Sequence, residues 1–171
     1  SMLDEKLVEL LNDQVNKEFY SAYLYLSMAN YYNEEGLSGF GNWFTIQAQE
    51  ERDHAMLFLE YLQNNGAHVE LKSVEAPKKK FKEFKDPLDE SLKHERYVTA
   101  SIHNIYAAAS KVKDFRTMQF LDWFVKEQGE EEKTAEDLIK KLELFGQDGK
   151  GLYMLDSELA SRTYSAPTLT L

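Results

Sequence analysis

Cysteine is absent from the 171 residues, which removes disulfides, thiolate metal sites and cysteine nucleophiles together and suits a reducing compartment. Proline and glycine are scarce, at 3 and 8, so little in the chain interrupts long helices. No basic segment leads into an apolar one, so no secretory signal is expected, and Ser1-Met2 reads as an expression scar ahead of a native start. The longest uncharged run, Phe19 to Asn33, is full of Tyr, Ser and Asn and falls short of the roughly 20 apolar residues of a membrane span. Positive charge is in deficit, and the formal net charge is −10. Such a surface repels nucleic acid and anionic lipid and favours cations. The expectation is a cytoplasmic protein with neither a nucleic-acid nor a membrane partner.

One domain spanning 1–171 fits this length. Asp4 is a plausible N-cap for a helix running to about Asn33, which Gly36 ends and after which Ser38 can cap a second helix to about Asn65. A connection from Gly66 to Asp86 holds Pro77 and the Lys78 to Lys85 cluster, with Pro87 at its end. The cluster reads as a solvated loop whose Phe81 and Phe84 anchor it at a subunit contact. A third helix is expected from near Asp89 to about Lys111, and a fourth from an Asp114 cap to Phe145. This bundle of about 4–146 is followed by a short fifth helix over about 152–162 and a tail, 163–171. The fold class is therefore all-α: two hairpins joined by one long crossover, which in extended form exceeds the length of a helix.

Each bundle helix carries an apolar stripe at steps of three and four residues. The stripes read Leu7, Leu11, Val15, Glu18, Ala22, Tyr25, Ala29, Tyr32; Phe40, Phe44, Gln47, Glu51, His54, Phe58, Tyr61; Leu88, Leu92, Glu95, Thr99, Ile102, Tyr106, Ala109; and Leu121, Phe124, Gln128, Glu131, Ala135, Leu138, Leu142, Phe145. Acids interrupt all four near the middle. Counted from the turns near Gly36 and Val112, Glu18, Glu51, His54, Glu95, Gln128 and Glu131 fall within about one helical turn of a common level. Buried acids without Lys or Arg on the same stripes need a cation or protons. Carboxylates with a single imidazole favour a hard ion such as iron or manganese over copper.

The set Glu18, Glu51-x-x-His54, Glu95 and Glu127-Gln128-x-x-Glu131 resembles the ferroxidase centre of ferritins, specifically the bacterial non-haem ferritins. The resemblance covers nearly the whole chain. It implies a ferritin-like four-helix bundle, the standing example of a bundle with one long crossover, in a shell of about twenty-four identical subunits. It implies two irons per subunit: Glu18, Glu51 and His54 as ligands of the first, Glu51 bridging, and Glu95 and Glu131 as ligands of the second. A third iron site would draw on Glu50, Glu127 and Glu130 with Glu131 shared. Gln128 would stand beside the oxygen-binding pocket, Tyr25 would reach the centre, and Trp123 would either pack or supply an electron. The implied activity is oxidation of ferrous to ferric iron by oxygen or hydrogen peroxide, followed by storage as hydrated ferric oxide.

Departures from near relatives narrow the reading. Haem-binding ferritins carry Met directly after the bridging Glu; Arg52 stands there, so no haem is expected. A second Glu-x-x-His is replaced by Gln128-x-x-Glu131. Where animal ferritins place channel acids, this chain has Met118 and Leu121. His68, His94 and His103 show no ligand spacing. Two other classes remain open at this stage: a di-iron oxygenase or peroxide scavenger, separable by assembly state, and a metal-free structural bundle, separable by metal analysis.

Overall fold

The computed structural model describes residues 2–77 and 80–171; Lys78 and Lys79 of the basic cluster, and Ser1, lie outside the described residues. Five helices account for the regular structure: α1 (Glu5–Glu34), α2 (Ser38–Asn64), α3 (Lys85–Lys111), α4 (Phe115–Phe145) and α5 (Gly149–Ala160). Asp4, Asp114 and Asp148 cap α1, α4 and α5 by accepting from the amides of Lys6, Thr117 and Gly151, each worth about 1 kcal/mol. Gly36, at φ +86°, reverses the chain after α1, a conformation that costs a residue with a Cβ.

Three boundaries differ from expectation. Ser38 is the first residue inside α2 and Leu37 precedes it, with no side-chain cap. α3 begins at Lys85, so Pro87 sits within its first turn, where the missing amide hydrogen has no partner to lose. α5 spans 149–160 instead of 152–162, because the Asp148 carboxylate caps it three residues earlier.

Side-chain pairings fix the topology. Tyr25 meets Ser91 and Glu95, and Gln14 meets Ser101, so α3 runs antiparallel to α1. Phe58 packs on Phe124 and Gln47 bonds Glu131, so α2 and α4 are antiparallel as well. The crossover follows α1 along its length, from the Asn12 contacts with His68 and Glu70 to the Tyr32 hydroxyl on the Phe84 carbonyl. Phe81 and Phe84 pack onto their own chain's core, Phe81 against Tyr31. Among the described residues, α2 and α4 are the widely spaced adjacent pair: their Cα atoms nowhere come within 8 Å. Large side chains bridge that seam, including Phe58, Tyr61, Phe120 and Phe124.

The core divides into two apolar clusters. One holds Leu7, Leu11, Phe58, Ile102 and Phe124; the other holds Tyr25, Tyr32, Phe40, Leu88 and Leu142. The stripes of α1 and α2 lie inward as read. α3 is rotated relative to its expected stripe: Ser91, His94, Val98 and Ile105 are buried in addition to Leu88, Glu95, Ile102 and Ala109, while Leu92, Thr99 and Tyr106 are half-buried. Two registers of three- and four-residue steps share those common positions, and packing against α1 selects the second. Phe145, at the end of the α4 stripe, is 54% exposed, and Leu121 lies fully in the core.

α5 packs across the start of α2. The Asp156 carboxylate accepts from the Phe40 amide, and a Cβ at Gly39 would overlap the Asp156 carbonyl. Gly39→Ala is therefore expected to lift α5 while α1–α4 stay folded. Limited proteolysis should show early cleavage after residue 146 with near-native helical circular dichroism; an α5 as protected as in the parent would contradict this packing.

Candidate metal centre

Between the two apolar clusters lies one polar layer. Glu18, Glu51, His54, Glu95 and Gln128 are each at most 3% exposed, and Glu131 joins them from α4. Glu18, Glu51 and His54 bring one ligand atom each within 4.8 Å of one another, and so do Glu51, Glu95 and Glu131. Glu51 belongs to both groups. Two adjacent candidate cation positions sharing one carboxylate are thus laid out by residues from four helices.

Side-chain amides aim the carboxylates. Gln14 Nε2 donates to Glu18 Oε1 at 2.9 Å, and Gln47 Nε2 donates to Glu51 Oε1 at 3.0 Å and Glu131 Oε2 at 2.8 Å. Gln128 Nε2 donates to Glu95 Oε2 at 3.0 Å, and the Tyr25 hydroxyl donates to Glu95 Oε1 at 2.5 Å. The oxygens left over turn inward: Glu18 Oε2 and Glu51 Oε2 are buried without a hydrogen-bond partner. They stand 3.5 and 3.3 Å from His54 Nδ1, in ion-pair range but without hydrogen-bond alignment. Orphaned buried carboxylate oxygens are expensive, and oxygens converging beside an imidazole nitrogen form the donor set of a hard or borderline cation.

Without a metal the electrostatics are strained toward protons. Burial, then the Glu51 charge, pushes Glu95 up to about 8. Burial and the charges of Glu95 and Glu51 push Glu131 well above the carboxylate range, and burial with the Glu18 charge raises Glu51. Burial alone lowers His54, but its contacts with Glu18 and Glu51 outweigh that and hold the imidazole well above its ordinary value. Burial and Glu95 keep the Tyr25 phenol protonated.

The outer acids lie on the α2–α4 side. Glu50 and Glu127 are half-buried and, with His54 and Trp123, line a cavity of about 200 Å³; Glu130 is exposed but close enough to raise Glu127. Burial raises Glu50, against the pull of the Arg162 guanidinium. The Trp123 ring stands edge-on to His54, centroids 5.6 Å apart, and its Nε1 donates to Thr168 Oγ1. His94, which spacing dismissed, is buried through the rotation of α3, with Nε2 2.6 Å from Ser21 Oγ. His68 and His103 are exposed.

Several working residues escaped the sequence reading. Gln14 and Gln47 each stand four residues before a ligand-type glutamate, a repeated Gln-x-x-x-Glu spacing that was visible. Lys17 donates to Ser101 Oγ, which donates to Gln14 Oε1, so the orientation of that amide is itself held. Arg162 bonds Gln47 Oε1 and Glu50 Oε2 from more than a hundred residues away, and no local signal points to it.

Among known proteins, this chain is similar to ferritins. The ferritin-like domain family matches residues 8–145. Bacterial non-heme ferritins of Staphylococcus aureus (strain USA300) and Staphylococcus haemolyticus are 40% identical over 163 residues, covering 95% of this chain and 98% of theirs. An open-pore ferritin from the hyperthermophilic archaeon Archaeoglobus fulgidus superposes with a TM-score of 0.92 at 44% identity, over 95% of this chain and 99% of that one. An engineered closed form of the same ferritin gives 0.93 at 44% identity, with the same coverage.

The proton-biased layer has a measurable consequence. Glu95 rises from 4.5 to about 8 on folding, so its contribution to stability is complete below about 4.5 and is lost as pH rises through about 8. Glu131 and His54 are shifted the same way and carry the same sign. The melting temperature of the metal-free protein is expected to fall by several degrees between about pH 5 and pH 8, with a shallower fall in Glu95→Gln. A flat or rising profile in calorimetry would contradict the charge arrangement.

Proposed function

Since the chain belongs to the ferritin family, its function is iron storage with oxidation of iron, and we propose that the oxidation takes place at the buried carboxylate centre, whose residues divide the work. Glu18, Glu51 and His54 hold one ferrous ion; Glu51, Glu95 and Glu131 hold a second, with Glu51 shared. The observation that carries this assignment is the pair of buried, partnerless oxygens on Glu18 and Glu51, aimed at the space beside His54. Iron here is substrate and cargo.

Charge decides the direction of travel. Four carboxylates balance two ferrous ions. Oxidation leaves the pair with two extra positive charges in a low-dielectric layer, which is unfavourable unless hydroxide joins them or they depart. Two ferrous ions give up two electrons to one molecule of oxygen or hydrogen peroxide. Gln128 and Tyr25 keep Glu95 aimed during this change, and Gln47 does the same for Glu51 and Glu131. The departing ferric ions meet Glu50, Glu127 and Glu130 next, the acids of a third position. Trp123, against His54, is placed either to pack there or to supply a further electron.

The whole chain works as a single domain in a shell of identical subunits. Large exposed apolar side chains support burial by neighbours: Phe115, Leu144, Phe145, Tyr153 and Met154 are 54–74% exposed. We place the protein in the cytoplasm, consistent with its lack of cysteine; no described helix is long and apolar enough to cross a membrane.

Aerobic loading with ferrous iron, followed by size exclusion with light scattering, tests this reading. Ferric absorbance should elute with a particle of about twenty-four chains of 19.9 kDa. A monomer or dimer holding two irons per chain would move the function to an oxygenase or peroxidase. Combined Glu51→Ala and His54→Ala substitutions are expected to slow the initial appearance of ferric absorbance at least about a hundredfold; unchanged initial rates would overturn the ligand assignment.

A further inference from the structure

The chain beyond α5 turns back and runs along the wide seam between α2 and α4. Arg162 starts the run: Nη1 donates to the Trp43 carbonyl at 3.0 Å and to Gln47 Oε1 at 3.1 Å, and Nη2 donates to Glu50 Oε2 at 2.9 Å. The guanidinium also lies 4.3 Å from the centroid of the Trp43 ring. Two residues on, the Tyr164 hydroxyl donates to Asp53 Oδ2. Thr168 Oγ1 accepts from Trp123 Nε1, and Leu169 packs near Tyr61 and Phe120. The contacts climb α2 from Trp43 to Tyr61 while the tail advances from 162 to 169. Eighteen residues of helix and seven or eight of extended chain both span about 25 Å, so the tail lies stretched along the seam. Ser165, Ala166, Pro167 and Thr168 form the outer wall of the cavity whose inner wall is Glu50, His54, Trp123 and Glu127.

Arg162 does two things at once. It occupies Glu50 Oε2, an acid of the outer position, with a fixed positive charge. It also decides which way the Gln47 amide points, because a guanidinium only donates and therefore takes Oε1. Gln47 Nε2 is then turned to Glu51 and Glu131. A metal ion bound through Glu50 and Glu127 would compete for the same oxygen and repel the guanidinium.

We propose that Arg162 is a tethered cation that holds the outer acidic position at Glu50 until a multivalent metal ion displaces its guanidinium. The proposal rests on the two-ion reading of the inner centre. It adds an exchange between protein cation and metal cation. When the outer position fills, the Arg162 guanidinium leaves Glu50, and Gln47 loses the donor that fixed its amide. Arg162 is a positioning residue in this scheme and touches no ion.

Both tryptophans of the chain touch the tail, and that gives the readout. In a Trp123→Phe background, Trp43 alone reports the Arg162 contact at a distance from His54. The assembled metal-free protein is titrated with Zn(II), a redox-inert probe, by calorimetry and by fluorescence. Two ions per chain should bind tightly without changing Trp43 emission, and a third, weaker ion should change it. In Arg162→Ala the third ion should bind at least about tenfold more tightly, with Trp43 emission already altered before metal and unresponsive to the third equivalent. Arg162→Lys, which keeps the charge but loses the fork, should fall between. Third-ion affinity equal within about twofold in parent and Arg162→Ala, uptake of only two ions by both, or Trp43 emission that follows the first two ions would each overturn the exchange while leaving the inner centre intact. Loss of the two tight ions from both proteins would remove the inner two-ion reading itself.

Discussion

Glu18, Glu51, Glu95 and Glu131 are enclosed by four helices, and among the described residues the only basic side chain against them is His54. An isolated buried carboxylate is costly and several together more so. The rest of the molecule is arranged around that cost. Apolar clusters on either side supply the stability that the polar layer withholds. Glutamine amides satisfy one oxygen each of Glu18 and Glu51 and leave the other without a partner, while Gln128 and Tyr25 take both oxygens of Glu95. In the proposed scheme a cation pair would restore neutrality, and oxidation of that pair would upset it again. Binding, reaction and departure would then be three stages of one charge balance.

The four sides of the bundle are unequal, and the inequality gives this balance a direction. α1 pairs closely with α2 and α3, and α3 with α4, whereas the α2–α4 seam is held by side chains and covered by the tail. The acids outside the inner layer, Glu50 and Glu127, line that same seam. Seam, acids and tail thus coincide on one flank of the centre. α5 sets where the tail begins, because its close approach to α2 at Gly39 and the Asp156 bond to the Phe40 amide place Arg162 beside Trp43.

Much of this was legible in the sequence. On α1 and α2 a single stripe satisfies the apolar pattern, so Glu18, Glu51 and His54 were found as the interruptions, and matched heights predicted that they meet. On α3 two stripes share Leu88, Glu95, Ile102 and Ala109, so periodicity located Glu95 but hid the burial of Ser91 and His94. The Gln14 and Gln47 roles were visible as one spacing repeated on two helices, yet each alone is an ordinary polar residue. Arg162 was not legible. Its partners are fixed by the angle at which α5 crosses α2 and by an extended tail with no periodicity of its own.

The account stands on two metal positions that share Glu51 inside the bundle. Crystals of the protein soaked anaerobically with ferrous iron and measured across the iron absorption edge test it most directly. Two anomalous peaks are expected per chain, one among Glu18, Glu51 and His54 and one among Glu51, Glu95 and Glu131. Anomalous density confined to surface acids, with the inner layer free of iron, would contradict it.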